Sequence, residues 1–171
     1  FSHRAGELYC ENVPASELAR RHGTPLYVYS KAAILSRFRE IRQAFRPARP
    51  LICYSIKANG NLSILRLLAK AGSGFDIVSG GELYRALKAG ATPSKIVYAG
   101  VGKTPREIEA ALKAGILMFN VESEEELRAL NSAAKKLRRT ARAALRVNPD
   151  VDARTHAKTT TGKKETKFGV D

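Results

Sequence analysis

The sequence predicts an α/β fold built on a parallel sheet, and three regularities in its middle carry that prediction. Segments with helical spacing of apolar residues close three times on Ala-Gly, at Ala71-Gly72, Ala89-Gly90 and Ala114-Gly115. Glycine just past a helix end takes the left-handed conformation that caps the last carbonyls. Short apolar runs follow within a few residues: Phe75-Asp76-Ile77-Val78, Ile96-Val97-Tyr98-Ala99 and Leu117-Met118-Phe119-Asn120-Val121. Helices then open on an oxygen-bearing side chain with Glu three residues later, as in Ser79/Glu82, Thr104/Glu107 and Ser123/Glu126, the spacing of a capping box. Strand and helix alternate about every 21 to 26 residues, the signature of right-handed βαβ crossovers.

Taken in order, the chain first offers a short strand at Glu7–Cys10 and another over residues 25–29, ahead of a first long helix. The apolar run Leu51-Ile52-Cys53-Tyr54-Ser55-Ile56-Lys57 is the next strand; Gly60-Asn61 ends it, and residues 62–68 open a helix. The three repeat units follow, with Pro105 at a first helical position where its missing N–H costs nothing. A helix from 123 to about 138 leads to a fifth strand of the series, Ala143-Ala144-Leu145-Arg146-Val147. No Gly-x-Gly-x-x-Gly turn follows any strand, which argues against a dinucleotide-binding sheet. The even spacing favours a (β/α)8 barrel instead. A complete barrel takes about 250 residues, so 171 residues supply some five of its eight strands, and a barrel truncated after the fifth is expected.

Composition narrows the function classes. The net charge is +14, with basic residues gathered on helical segments at Arg37, Arg39, Arg42, Arg46 and at Lys135, Lys136, Arg138, Arg139. No recognisable nucleic-acid motif surrounds them, so solvated helix faces are favoured over a nucleic-acid surface. No apolar run is long enough to span a membrane and no signal-peptide pattern opens the chain, so a cytoplasmic protein is expected. The chain starts Phe1-Ser2-His3 without an initiator Met, as a trimmed sequence would. Cys10 and Cys53 lack metal-ligand spacing and read as two buried, reduced thiols; no metal site is expected.

Lys57 carries the chemistry. Apolar neighbours at a strand end would disfavour its ammonium form and expose a free amine, which Schiff-base chemistry with a carbonyl requires. The alternative is a lysine reaching from the strand end into solvent. In a parallel α/β architecture the functional side lies where strands end, and Lys57, Ser79, Gly100 and Asn148 all fall there. Strand alternation groups Lys57 with Ser55 and Cys53, away from Ile52, Tyr54 and Ile56, so the lysine's face would line the barrel. Ser79, Gly80 and Glu82 are explained by helix capping.

These residues together resemble the diaminopimelate decarboxylases, of the alanine-racemase-like group of pyridoxal-phosphate enzymes that includes the ornithine and arginine decarboxylases. Tyr54-Ser55-Ile56-Lys57-Ala58-Asn59 is similar to that group's cofactor-lysine strand, and the run from Gly72 to Leu83 resembles its next strand and turn. Leu145-Arg146-Val147-Asn148-Pro149 and Lys167-Phe168-Gly169 match in order and spacing. The group usually carries His-Thr-His where this chain has Arg154-Thr155-His156 before Thr161-Gly162. The resemblance implies that residues 1–30 join a C-terminal β-domain and that 31–171 form part of a pyridoxal 5'-phosphate-binding TIM barrel. It implies Lys57 as the catalytic residue that also holds the cofactor, with Asp76 and Arg146 as further cofactor-binding residues. The activity implied is decarboxylation of meso-diaminopimelate to lysine by a homodimer whose phosphate loop and substrate arginines come later in the chain, so the 171 residues alone would be inactive. An amino-acid substrate is implied, with no nucleic acid and no membrane as partner. A relative acting on ornithine, arginine or carboxynorspermidine stays open, as does a non-catalytic pyridoxal-phosphate-binding barrel.

Overall fold

The computed structural model describes residues 1–151 and 169–170; the readings made at Arg154, Thr155, His156, Thr161-Gly162 and Lys167-Phe168 lie outside them. The chain divides into two compact units, Phe1–Pro50 and the residues from Leu51 onward.

In the first unit β1 (Ser2–Arg4), β2 (Glu7–Cys10) and β3 (Val13–Pro14) form an antiparallel sheet, followed by α1 (Ala15–His22) and α2 (Lys31–Ala44). Ala5 and Gly6 join β1 to β2 with φ of 48° and 81°, the two positive values that a tight hairpin turn of this hand demands. The Ser30 hydroxyl accepts from Ala33 N at 3.0 Å, capping α2. Glu11 Oε1 accepts from both Ser30 Oγ (2.8 Å) and Ala32 N (2.7 Å), satisfying another amide of the first turn. The predicted strand over residues 25–29 does not form. A strand exists only through a ladder, none of the described residues pairs with this segment, and Pro25 has no N–H to give to one. Tyr27 and Tyr29 are exposed along it. The sequence reading also lacked β1, β3 and α1; the Ala5-Gly6 turn was the available signal for the hairpin.

The second unit is a five-stranded parallel sheet of β4 (Cys53–Ser55), β5 (Gly74–Ile77), β6 (Ile96–Tyr98), β7 (Met118–Val121) and β8 (Ala143–Leu145). The connecting helices are α3 (Leu62–Lys70), α4 (Gly80–Lys88), α5 (Pro105–Ala114) and α6 (Glu124–Leu137). The strands lie in sequence order, β4-β5-β6-β7-β8. A doubly wound sheet reverses its order at a switch point, whereas a barrel does not, so this is the sheet of a (β/α)8 type opened along β4 and β8.

Register divides the side chains cleanly. Phe75, Ile77, Ile96, Tyr98, Phe119 and Val121 share one face and are almost completely buried. Against them pack Ile64, Leu65 and Leu68 of α3, Leu83 and Ala86 of α4, Ile108, Ala111 and Leu112 of α5, and Leu130 and Ala134 of α6, all buried. Tyr98 stacks on Phe119 with ring centroids 6.0 Å apart. The other face carries Cys53, Ser55, Asp76, Val97, Met118 and Asn120, half-buried and more polar. Cys53 is therefore only half-buried, unlike the fully buried thiol of Cys10.

Gly74 is required by space. A Cβ there would sit 2.8 Å from Cys53 Sγ and closer still to the Lys95 carbonyl oxygen, which is backbone and cannot step aside. Gly74→Ala is expected to destabilise the fold by about 1–3 kcal/mol, the usual penalty for overpacking a tight interior. Urea or thermal unfolding of the variant checks it.

Candidate active site at the carboxyl ends of the strands

β4 runs directly into one turn of 3-10 helix, Ile56–Ala58. The alternation carries through that turn: Ile56, on the side of Tyr54, is 2 % exposed in the core, while Lys57, on the side of Ser55, is exposed at the sheet's carboxyl edge. The apolar enclosure expected around Lys57 is thus absent among the described residues, since Lys57 lies on the face opposite the packed helices. The Asn61 side chain caps α3 by accepting from Ser63 N at 2.9 Å. The Tyr54 hydroxyl donates to Asn59 O at 3.3 Å. The lysine therefore rides on a turn fixed at both ends.

Asp76 stands on the neighbouring strand, paired in register with Ser55, and its Oδ2 accepts from Ser55 Oγ at 2.7 Å. The other carboxylate oxygen carries no hydrogen bond among the described residues. Burial, and secondarily the Asp76 charge, push the thiol of Cys53, at the start of β4, above its ordinary range. Arg146 follows β8 and continues the half-buried face, three strands from Asp76; its Nη1 donates to Glu122 Oε1 and Oε2 at 3.2 and 3.3 Å. The structure thus brings Lys57 and Asp76 to adjacent strand ends and puts Arg146 at the far side of the same edge.

The three predicted capping boxes differ in detail. Each N-cap hydroxyl accepts from the N–H three residues on: Ser79 from Glu82 N, Thr104 from Glu107 N and Ser123 from Glu126 N. The glutamate returns a bond to its own N-cap only at Thr104, whose N–H meets Glu107 Oε2 at 3.0 Å. At the other two the carboxylate takes the N–H of the preceding residue, Val78 N to Glu82 (2.7 Å) and Glu122 N to Glu126 (3.1 Å). Ser79 and Ser123 are nearly fully extended, with φ of −158° and −153°, against −80° at Thr104, which turns their own amides elsewhere. Glu107 also reaches across to Gly80 N at 2.7 Å. That backbone donor, before the Thr104 contacts, holds the Glu107 carboxyl below the usual carboxylate range.

Lys103 escaped the sequence reading, and the structure buries it completely. Its side chain is 0 % exposed and its Nζ meets Glu126 Oε1 at 2.7 Å. The same ammonium donates to Gly100 O (2.7 Å) and Asn120 O (2.8 Å), and lies 5.6 Å from the centre of the Tyr98 ring. The one available signal was a lysine set immediately before an N-cap threonine in Gly102-Lys103-Thr104-Pro105, which reads as an ordinary loop residue until its partners are known. The basic helices find partners too: Lys136 Nζ pairs with Glu109 at 2.8 Å and Arg139 donates to Leu112 O. Among the described residues no helix is long and apolar enough to cross a membrane.

Residues 31–171 match the model of the family described as pyridoxal-dependent decarboxylase, pyridoxal binding domain. The chain is 56 % identical over its whole length to the diaminopimelate decarboxylase of Aquifex aeolicus, covering 40 % of that protein. It superposes on the structure of the Helicobacter pylori diaminopimelate decarboxylase complexed with L-lysine with a TM-score of 0.88 and 51 % identity, over 91 % of this chain and 39 % of that one. With the M. jannaschii enzyme in co-complex with L-lysine the TM-score is 0.90 at 42 % identity, over 98 % and 40 % of the two chains. The chain thus spans about two-fifths of the length of these relatives.

Two outcomes are expected. Lys103→Met leaves Glu126 buried without its cation and two carbonyls without a donor, and should cost about 3–5 kcal/mol in denaturant unfolding. Because Glu107 is held below its ordinary value of 4.5, its charged form stabilises the fold above that pH, and the contribution fades as pH falls through the lowered value. Stability measured from pH 7 downward should therefore drop less below about 4.5 in Glu107→Gln than in the parent chain.

Proposed function

Because the chain belongs to the pyridoxal-dependent decarboxylase family through its pyridoxal-binding domain, we propose that the protein decarboxylates meso-diaminopimelate to L-lysine and carbon dioxide with pyridoxal phosphate. The carrying observation is the amine of Lys57 presented at the carboxyl edge of the sheet, one strand from a carboxylate fixed by Ser55. An aldehyde cofactor needs that pairing: a primary amine to hold it and an acceptor beside it with an oxygen to spare. The donor set fits the group. The identity to enzymes named for diaminopimelate, 56 % with that of Aquifex aeolicus, supports this substrate over ornithine or arginine.

Lys57 would hold the cofactor, Asp76 would orient it through the carboxylate oxygen that Ser55 leaves available, and Arg146 would present its guanidinium from the other side of the edge. When bound, the cofactor supplies an electron sink for the carbanion left as carbon dioxide departs. The protein's part is orientation, and the Nζ of Lys57 is the group that then carries a proton to or from the substrate carbon. Residues 1–30 would belong with a β-domain and 31–171 with the barrel; the family match starting at residue 31 supports that division, whereas the compact units divide later, after Pro50. The complete enzyme is a cytoplasmic homodimer in this reading.

Mixing the full-length protein with pyridoxal phosphate, reducing with borohydride and mapping the labelled peptide tests it. Selective modification of Lys57 is expected, together with carbon dioxide release from meso-diaminopimelate that Lys57→Ala lowers by at least about a thousandfold. Labelling spread over other lysines, or faster turnover of ornithine or arginine, would overturn the assignment of site or of substrate respectively.

A further inference from the structure

We propose that Glu122 is a positioning residue that aims the Arg146 guanidinium across the carboxyl edge of the sheet, toward the cofactor. The inference rests on the reading of Arg146 as a cofactor-binding residue. Glu122 lies just past β7 with its side chain 2 % exposed. A carboxylate so buried needs compensating donors, and two neighbouring strand ends provide them. Gly100 N, after β6, donates to Oε1 at 2.8 Å, and Arg146 Nη1, after β8, reaches both oxygens at 3.2 and 3.3 Å.

Glu122 cannot drift. Its backbone N–H is taken by Glu126 Oε2, and the other oxygen of Glu126 is paired with the buried Lys103 ammonium. Lys103 in turn ties down Gly100 O and Asn120 O, the carbonyls flanking the same corner. The main chain of Arg146 is held as well: its carbonyl accepts from Val170 N at 2.9 Å, and Asn148 N donates back to Val170 O at 2.6 Å. Only the Arg146 side chain retains exposure, 37 %, and it continues the half-buried face that holds Asn120 and Asp76. The guanidinium is therefore fixed against a buried charge on a side chain that lies on the site's face. A buried carboxylate serving packing alone could be replaced by its amide; one that aims a cation needs its charge.

A double-mutant cycle in the full-length protein tests this, reading the pyridoxal phosphate dissociation constant by absorbance together with the melting temperature of the cofactor-free form. Glu122→Gln keeps an acceptor for Gly100 N and removes the charge; it should weaken cofactor binding about tenfold. In an Arg146→Gln background the same change should shift the constant less than about twofold, since Glu122 then has no guanidinium to aim. Equal losses in both backgrounds, or a lowered melting temperature with unchanged affinity, would overturn the proposal and leave Glu122 a support of the fold. If Arg146→Gln alone leaves affinity unchanged, the cofactor role of Arg146 fails and this inference with it, whereas selective labelling of Lys57 would still stand. Should Glu122→Gln not fold, the cycle is read with Glu122→Asp, which keeps the charge but shortens its reach.

Discussion

Everything at the functional edge depends on the burial of one face of the parallel sheet beneath α3 to α6. Phe75, Ile77, Ile96, Tyr98, Phe119 and Val121 can all reach those helices only if the strands keep one register, since a slip of one residue would exchange the two faces of a strand. Each such side chain removed from water contributes on the order of 2 kcal/mol, far more than any single polar contact at the edge. That burial places Ser55 opposite Asp76 and Asn120 opposite Ala144. The polar face is thus a by-product of packing the apolar one.

The strand ends are then joined by carboxylates. Glu107, on α5, accepts from Gly80 at the turn after β5, and Glu122, after β7, accepts from Gly100 at the turn after β6. Each is a charged acceptor on an otherwise unpaired amide, which makes these bonds stronger than neutral ones. They link one βα unit to the next at the edge where a ligand would bind, so the loops need not be held by apolar contacts that would close the site. The Lys103 ammonium serves the same purpose with opposite sign, holding two carbonyls and the Glu126 carboxylate. A buried ion pair of this kind is a poor source of net stability but a strong constraint on geometry, because every alternative position leaves a charge unpaired.

The functional edge is accordingly asymmetric. Near β4 and β5 the groups are few: an exposed amine and a carboxylate with one oxygen bound. Near β7 and β8 they are interlocked, with Glu122, Glu126, Lys103 and Arg146 each fixed by another. The first region has the character of a place for chemistry and the second of a rigid wall against which a ligand can be aligned.

The sequence by itself determined the repeat, the parallel sheet and the positions of Lys57, Asp76 and Arg146 at strand ends, because Ala-Gly closures, capping spacings and apolar runs are local signals that short-range physics reads directly. It also pointed to the family, through motifs carried in order along the chain. Only the tertiary structure decided what surrounds those residues. Lys57 kept the side that alternation assigns it, opposite the buried Ile56, but emerged exposed and not enclosed by apolar neighbours, because the helices pack on the other face. Residues 25–29 remained without a strand because pairing needs a partner that no local preference supplies. Lys103 read as a loop lysine and became the most enclosed cation of the described residues, since its partners Gly100, Asn120 and Glu126 meet only when β6, β7 and α6 are packed. Local pattern sets which elements form and which way their side chains alternate; charge pairing across three elements depends on distances that exist only after folding.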